Sequence, residues 1–262
     1  MAADLYAEFA ELQKKYPRNI GNDFMLPVDI QDRFMSGTLS FTADDKALFV
    51  FERREGFYKL HFRLIDTTAV IPRHDGPLAA YLAYRRGRYP YEAADWLRSQ
   101  GFTYAKTLLR HSAKVIVGEL SDEKLEKASV DEVYSMIGEY FSEVEADLPP
   151  REFFWPSGVY CRRARDGSML GLVYDISQTR IVAVSSAARG QGIGRRLYRA
   201  YSEEKARENK SGIFHEWISP DNAASLKMFS SLGFVPDTAM SDCFVLRKSE
   251  GRNCEKNNSD TE

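Results

Sequence analysis

The run Arg189-Gly190-Gln191-Gly192-Ile193-Gly194 constrains this chain more than any other segment. It follows a strand-like stretch at residues 180–184, apolar from Ile181 on, and precedes Leu197, Ala200 and Tyr201, which fall along one side of a helix. Glycines at 190, 192 and 194 let the backbone turn tightly without Cβ clashes, so several N–H groups can point into one concavity. The helix behind them adds the positive end of its dipole, and Arg189, Arg195 and Arg196 add full charges. A strand, glycine turn and helix in this order predict an α/β architecture with an anion site of pyrophosphate size. Taken alone, the segment leaves a second reading open, a glycine turn that only packs a helix against a sheet.

The surroundings narrow the ligand. A phosphate loop of the GxxxxGK[ST] kind needs Lys-Ser or Lys-Thr after the glycines, and neither follows here. A dinucleotide site needs GxGxxG and an acidic residue at the end of the next strand. The glycine spacing differs, and Glu216 lies inside the next strand, residues 213–218. Ser219-Pro220-Asp221 then leads into a helix over residues 222–232, closed by Gly233, and residues 244–247 make a last strand.

These residues resemble the GNAT superfamily of acyl-CoA N-acyltransferases. The family's phosphate motif, [Q/R]xxGx[G/A], is matched by Arg189 to Gly194 at every defined position. Asn222-Ala223-Ala224-Ser225 and Phe229-Ser230-Ser231-Leu232-Gly233-Phe234 look like its Asn-led helix ending in Gly-Phe. The resemblance covers residues 131–248 and implies an α/β (α+β) fold with a mixed central sheet flanked by helices. It also implies a strand splayed from its neighbour, where Val182, Ala183 and Val184 would pair with the pantetheine arm of acetyl-CoA. The Val184 amide would polarise the thioester carbonyl. Arg189, Gly190, Gln191, Gly192, Ile193, Gly194 and Arg195 would hold the pyrophosphate, with Asn222, Ser225 and Phe229 beside the pantetheine. The implied reaction is transfer of the acetyl group to a primary amine by direct attack in a ternary complex, without a metal. A non-catalytic acyl-CoA-binding regulatory module is the alternative.

Two departures bear on mechanism. Many relatives carry a tyrosine where this chain has Phe229, which has no proton to donate, so the acid is another group or water; Ser225 lies one turn earlier on the same face. No carboxylate or histidine lies within residues 180–184. Glu216 and His215 are the candidate bases on the neighbouring strand, on opposite faces by alternation. Glu139 and Glu143, four apart on a helix near the acceptor side, are the others, though a solvated face suits them as well. Cys161 and Cys243 sit in no recognisable nucleophile context, so an acyl-cysteine route is not expected.

At roughly 150 residues per domain, 262 residues allow one large domain or two small ones. Leu5, Phe9, Leu12 and Tyr16 mark a first helix. Strands are predicted at 48–51 and 58–64 around a loop at Arg53-Arg54-Glu55-Gly56, and a third at 78–84. A helix over 91–99 ends at Gly101, and Trp96-Leu97-Arg98-Ser99-Gln100-Gly101-Phe102 echoes residues 228–234. The echo suggests two GNAT-like lobes in tandem, the first without a phosphate loop: residues 1–120, a linker at 121–127, the acetyltransferase domain at 128–248 and a disordered tail at 249–262. Asp131 is the expected cap of a helix carrying Val133, Ile137, Tyr140 and Val144, and Asp166-Gly167 the expected turn of a hairpin.

Thirty-six basic against thirty-eight acidic residues give a net charge of −2, which does not suggest a nucleic-acid binder. Three cysteines without CxxC spacing argue against a metal knuckle or disulfide framework. Asp4, Glu8 and Glu11 do not suit a signal peptide, and no apolar stretch approaches the ~20 residues that span a bilayer. A cytoplasmic enzyme is expected, with acetyl-CoA and an amine as its partners.

Overall fold

A computed structural model describes residues 2–16, 20–22, 33–114, 125–176, 179–209 and 213–247. The expected tail and residues 121–124 of the expected linker lie outside the described residues. The N-terminal half runs α1 (Ala2–Lys15), β1 (Ile20–Gly21), β2 (Leu39–Ala43), β3 (Ala47–Arg53), β4 (Tyr58–Leu64), β5 (Leu78–Arg85), α2 (Tyr91–Ser99) and β6 (Thr103–Lys114). The C-terminal half runs α3 (Val130–Gly138), α4 (Glu143–Ala146), β7 (Val159–Arg163), β8 (Met169–Ile176), β9 (Thr179–Val184), α5 (Ile193–Asn209), β10 (Ile213–Ile218), α6 (Ala223–Ser231) and β11 (Val235–Leu246).

Each half repeats one plan: three antiparallel strands, a crossover, a strand, a helix ending in Gly-Phe, and a last strand. The two helix ends match bond for bond. Gly101 and Gly233 have φ of 88° and 83°. Phe102 N–H donates to Leu97 O, and Phe234 N–H to Phe229 O, both at five residues' separation. This is the Schellman closure, which needs a left-handed residue after the helix. The molecule is thus two lobes of one plan in tandem, with a mixed central sheet flanked by helices.

The lobes exchange their last strands. The large sheet runs β10-β6-β11-β5-β4-β3-β2, with β1 on β4, while β7-β8-β9 forms a separate sheet. β6 of the first lobe therefore lies between β10 and β11 of the second, and β11 lies between β6 and β5. Both lobes open at the corresponding place. β4 and β5 pair in parallel at only two positions, Tyr58↔Leu78 and Lys59↔Ala79, and among the described residues β9 has no ladder to β10. In the first lobe the gap is filled from within, because Trp96 packs on Phe49 and Phe62 and its Nε1–H donates to Ala69 O at 2.9 Å. Residues 65–77 cross from β4 to β5 without a helix, whereas β9 and β10 are joined through the glycine loop and the long α5.

Several local expectations change. β2 and β6 were not marked by the apolar pattern, and β11 starts at Val235 rather than at residue 244. β11 is paired on both edges, so its ladders set its length; its buried Asp242 accepts from Tyr84 Oη and Thr107 Oγ1 at 3.1 and 2.6 Å. The helix expected to carry both Val133 and Val144 is two helices. Ser129, not Asp131, caps α3 through a capping box with Glu132, and a second box, Ser142 with Glu145, starts α4. Glu126, within the expected linker, exchanges 2.9 Å backbone bonds with Cys161 and so is pinned beside β7. No helix among the described residues is long and apolar enough to cross a membrane.

Candidate active site

The gap between β9 and β10 exposes one edge of β9. Ser185 N–H donates to Leu170 O on the β8 side at 3.0 Å. Successive residues of a strand alternate, so Val182 and Val184 turn their backbone groups toward the gap, while Ala183 turns its own toward β8. Ala183 is therefore not available to a ligand in the gap. Its side chain is also buried, in the core under α3.

The loop that follows is built for the N–H groups it presents. Gly190 and Gly192 have φ of 76° and 71°, the left-handed region that side chains resist. Gly194 serves close approach instead: a Cβ there would lie 3.1 Å from Met228 Sδ and 3.2 Å from Val184 Cγ2. Among the described residues no acceptor is found for the N–H groups of residues 190–195; the first bond of the helix is Arg196 N–H to Gly192 O at 3.1 Å. Six successive donors at a helix N-terminus form an anion cradle. Arg189 lies beside it, its guanidinium 4.3 Å from the Tyr140 ring centroid and its Nε 3.4 Å from Val184 O.

The next strand brings Glu216 beneath the gap. Its carboxylate is 4% exposed, and its Oε1 accepts from Arg180 Nε at 2.5 Å and from Tyr198 Oη. Arg180 thus ties β9 to β10 where no ladder does. Burial pushes the Glu216 carboxyl up, and the Arg180 charge and Tyr198 hydroxyl pull against it. Burial also raises the Tyr198 phenol, with the Glu216 charge adding to it. His215 points to the other face, where its Nδ1 lies 2.7 Å from Ser112 Oγ. It does not line the cavity described below.

Asn222 Oδ1 accepts from Ser225 N–H at 3.0 Å and caps α6; both residues border the gap. Phe229 touches the gap, but its ring is 5% exposed and packs edge-on against Tyr198 and Phe234, with centroids at 4.9 and 5.2 Å. Glu139 and Glu143 do not share a helix face: Glu139 ends α3, Glu143 begins α4, and neither lines the cavity. The Glu143 carboxylate instead packs against Gly56. Burial raises both described thiols, Cys243 to about 11, so neither is a ready nucleophile. No group of three or more His, Cys, Asp or Glu among the described residues could hold a metal ion.

A cavity of about 710 Å³ extends from the gap, lined there by Val182, Ile218 and Ser225, to the first lobe. At that far end Glu52 pairs with Arg33, with Arg54 at 2.8 Å and with His61 at 3.2 Å. Asp147 pairs with Arg54 and Lys59 at 3.2 and 2.9 Å. Against burial, which favours the neutral acid, Arg54 and its neighbours hold the Glu52 carboxyl far below the usual range. Asp147 is the one non-glycine residue with positive φ among the described residues, 48°, and this conformation turns its carboxylate to the two cations. Sequence reasoning marked none of this wall, nor Arg180 and Tyr198. Their partners lie 36 and 18 residues away, so no local spacing reveals them.

Residues 130–234 match the model of the acetyltransferase (GNAT) family. No curated protein matches the sequence. Solved structures do match the fold. A Drosophila protein is 13% identical, with 76% of this chain and 74% of that one covered and a TM-score of 0.55. A tandem GNAT protein from the clavulanic acid biosynthesis pathway is 12% identical over 85% of this chain and 88% of its own, with a TM-score of 0.52. An acetyltransferase from the GNAT family from Colwellia psychrerythraea is 13% identical over 92% and 97%, with a TM-score of 0.50.

Proposed function

Since residues 130–234 belong to the acetyltransferase (GNAT) family, we propose that this protein moves the acetyl group of acetyl-CoA to an amine by direct attack in a ternary complex. The observation that carries the reading is the row of unpartnered amides at residues 190–195 beside the free edge of β9. The amides and Arg195 would hold the pyrophosphate, Val182 and Val184 would pair with the pantetheine arm, and Asn222 would reach it from the cap of α6. Arg189 must leave Val184 O as the arm arrives, which places its charge at the phosphates.

The amine nitrogen then attacks the thioester carbon, the C–S bond breaks, and CoA leaves as thiolate while the amine loses a proton. The Val184 N–H lies on the gap side to stabilise the oxyanion. A thiol with pKa ~8.5 leaves readily near neutral pH, so water or Ser225 suffices as acid and Phe229 need not donate. Glu216 is the proposed acceptor of the amine proton. Burial raises its carboxyl, and a base acts only when ionised. Activity should therefore fall on acidification at a higher pH than an ordinary carboxylate would give.

Steady-state kinetics test this. Glu216→Gln keeps the shape of the group and removes its basicity. General-base catalysis contributes about 10²–10⁴-fold, so we expect kcat to fall at least about 100-fold with acetyl-CoA affinity within about twofold. Unchanged kcat would leave Glu216 as a tie for Arg180 alone. The absence of a hydroxyl on Phe229 favours a second reading, an acyl-CoA-binding module without turnover; acetyl-CoA binding with no thiol release across an amine panel would establish it. We place the protein in the cytoplasm, where thiols such as the free, buried Cys161 and Cys243 are kept reduced.

A further inference from the structure

We infer that the acceptor is a small zwitterion, an amine that also carries a carboxylate, held amine-first between two oppositely charged ends of the cavity. The inference rests on the acyl-transfer reading above for which end is reactive. It starts from the pairing of the charges that line the cavity. Lys106 pairs with Glu145 at 3.5 Å, and Arg53 with Glu152 at 2.6 Å. Those pairs balance, and two groups do not.

At the first-lobe end three cations, Arg33, Arg54 and Lys59, share two carboxylates, Glu52 and Asp147. One positive charge is in surplus there. His61 is 7% exposed, and its Nε2 faces Glu52 while its Nδ1 has no hydrogen-bond partner among the described residues. At the gap end the balance reverses. Arg180 pairs with Glu216, and among the described residues no cation forms an ion pair with Asp175. Asp175 Oδ2 accepts from Tyr201 Oη at 2.8 Å, but Oδ1 is buried with no hydrogen-bond partner among the described residues.

A wall with a surplus charge and an unpartnered polar atom is costly to leave dry, and a ligand of opposite sign at each end offsets both costs. The gap end lies beside β9, where the thioester arrives, so the amine belongs at Asp175 and the carboxylate at Lys59, Arg54 and His61. A neutral amine would leave the cationic end uncompensated. A purely anionic ligand would leave Asp175 so.

Calorimetric titration of the full-length protein with glycine, β-alanine and 4-aminobutyrate, each beside its carboxamide, tests this. The amide keeps the amine and removes the negative charge. At least one acid should bind ten times more tightly than its amide, and the chain length preferred reads the separation of the two ends. Lys59→Met should abolish that preference with acetyl-CoA affinity unchanged, and Lys59→Arg should restore it. Asp175→Asn should weaken acid and amide alike. Equal binding of acid and amide, or binding of neither, overturns the inference; a preference that survives Lys59→Met overturns the placement of the carboxylate. Turnover of uncharged amines only would sink this inference and leave acyl transfer standing. Acid-selective binding without acetyl-CoA binding would do the reverse.

Discussion

A fragment of residues 128–248 produced alone should give no cooperatively folded, active monomer. Among the described residues β10 pairs only with β6, over six positions, and β11 only with β5 and β6. All of those partner strands lie before residue 128. Each backbone hydrogen bond contributes about 1 kcal/mol net, so losing about ten of them removes on the order of 10 kcal/mol. That equals the whole stability of a typical domain, about 5–15 kcal/mol. Cutting the chain also uncovers Phe214 and Ala113's side of the core under α5, and bares strand edges that invite aggregation. Acceptor binding would fail in any case, because Glu52, Arg54, Lys59 and His61 come from the first lobe. Circular dichroism melting and size-exclusion chromatography of the fragment give the readout. A soluble monomer with a sharp transition and full activity would show that the exchange of β6 and β11 is dispensable.

Gly192→Val should abolish acetyl-CoA binding while the protein stays folded. Gly192 has φ of 71°, and a β-branched residue resists that conformation. Space is not the obstacle, since an added Cβ meets only Arg196 Nη1, at 3.5 Å. The strain costs about 1–3 kcal/mol, and the loop relieves it by rotating its peptides out of the concavity. Hydrogen bonds to a charged group are worth about 1.5–3 kcal/mol each. Losing two of them therefore weakens binding by about 100-fold or more, at about 1.4 kcal/mol per factor of ten. Gly167→Val is the matched control: its φ is 87°, it turns the β7–β8 hairpin, and it does not line the cavity. It should lower the melting temperature without touching acetyl-CoA affinity. Binding retained within threefold in Gly192→Val would dissociate the glycine loop from the cofactor.

What the sequence by itself determined is whatever depends on neighbours within a few residues. The glycine loop, the Asn222 cap and the two Gly-Phe helix ends were legible because turn, cap and helix-end geometry are local. The echo of residues 96–102 in 228–234 likewise foretold two lobes of one plan. Only the tertiary structure decided the rest. Strand exchange is invisible to alternation, because β6 has the same pattern whichever lobe's strands flank it, and its pairing with β10 joins residues a hundred positions apart. Alternation against β8 removed Ala183 from the ligand edge, and Ser142's capping box parted Glu139 from Glu143. Arg180, Tyr198 and Glu216, like Glu52, Arg54, Lys59 and Asp147, acquire their roles only from partners that folding brings into a low-dielectric wall. Electrostatic pairing acts through space over a few ångströms, and one-dimensional spacing carries no record of it.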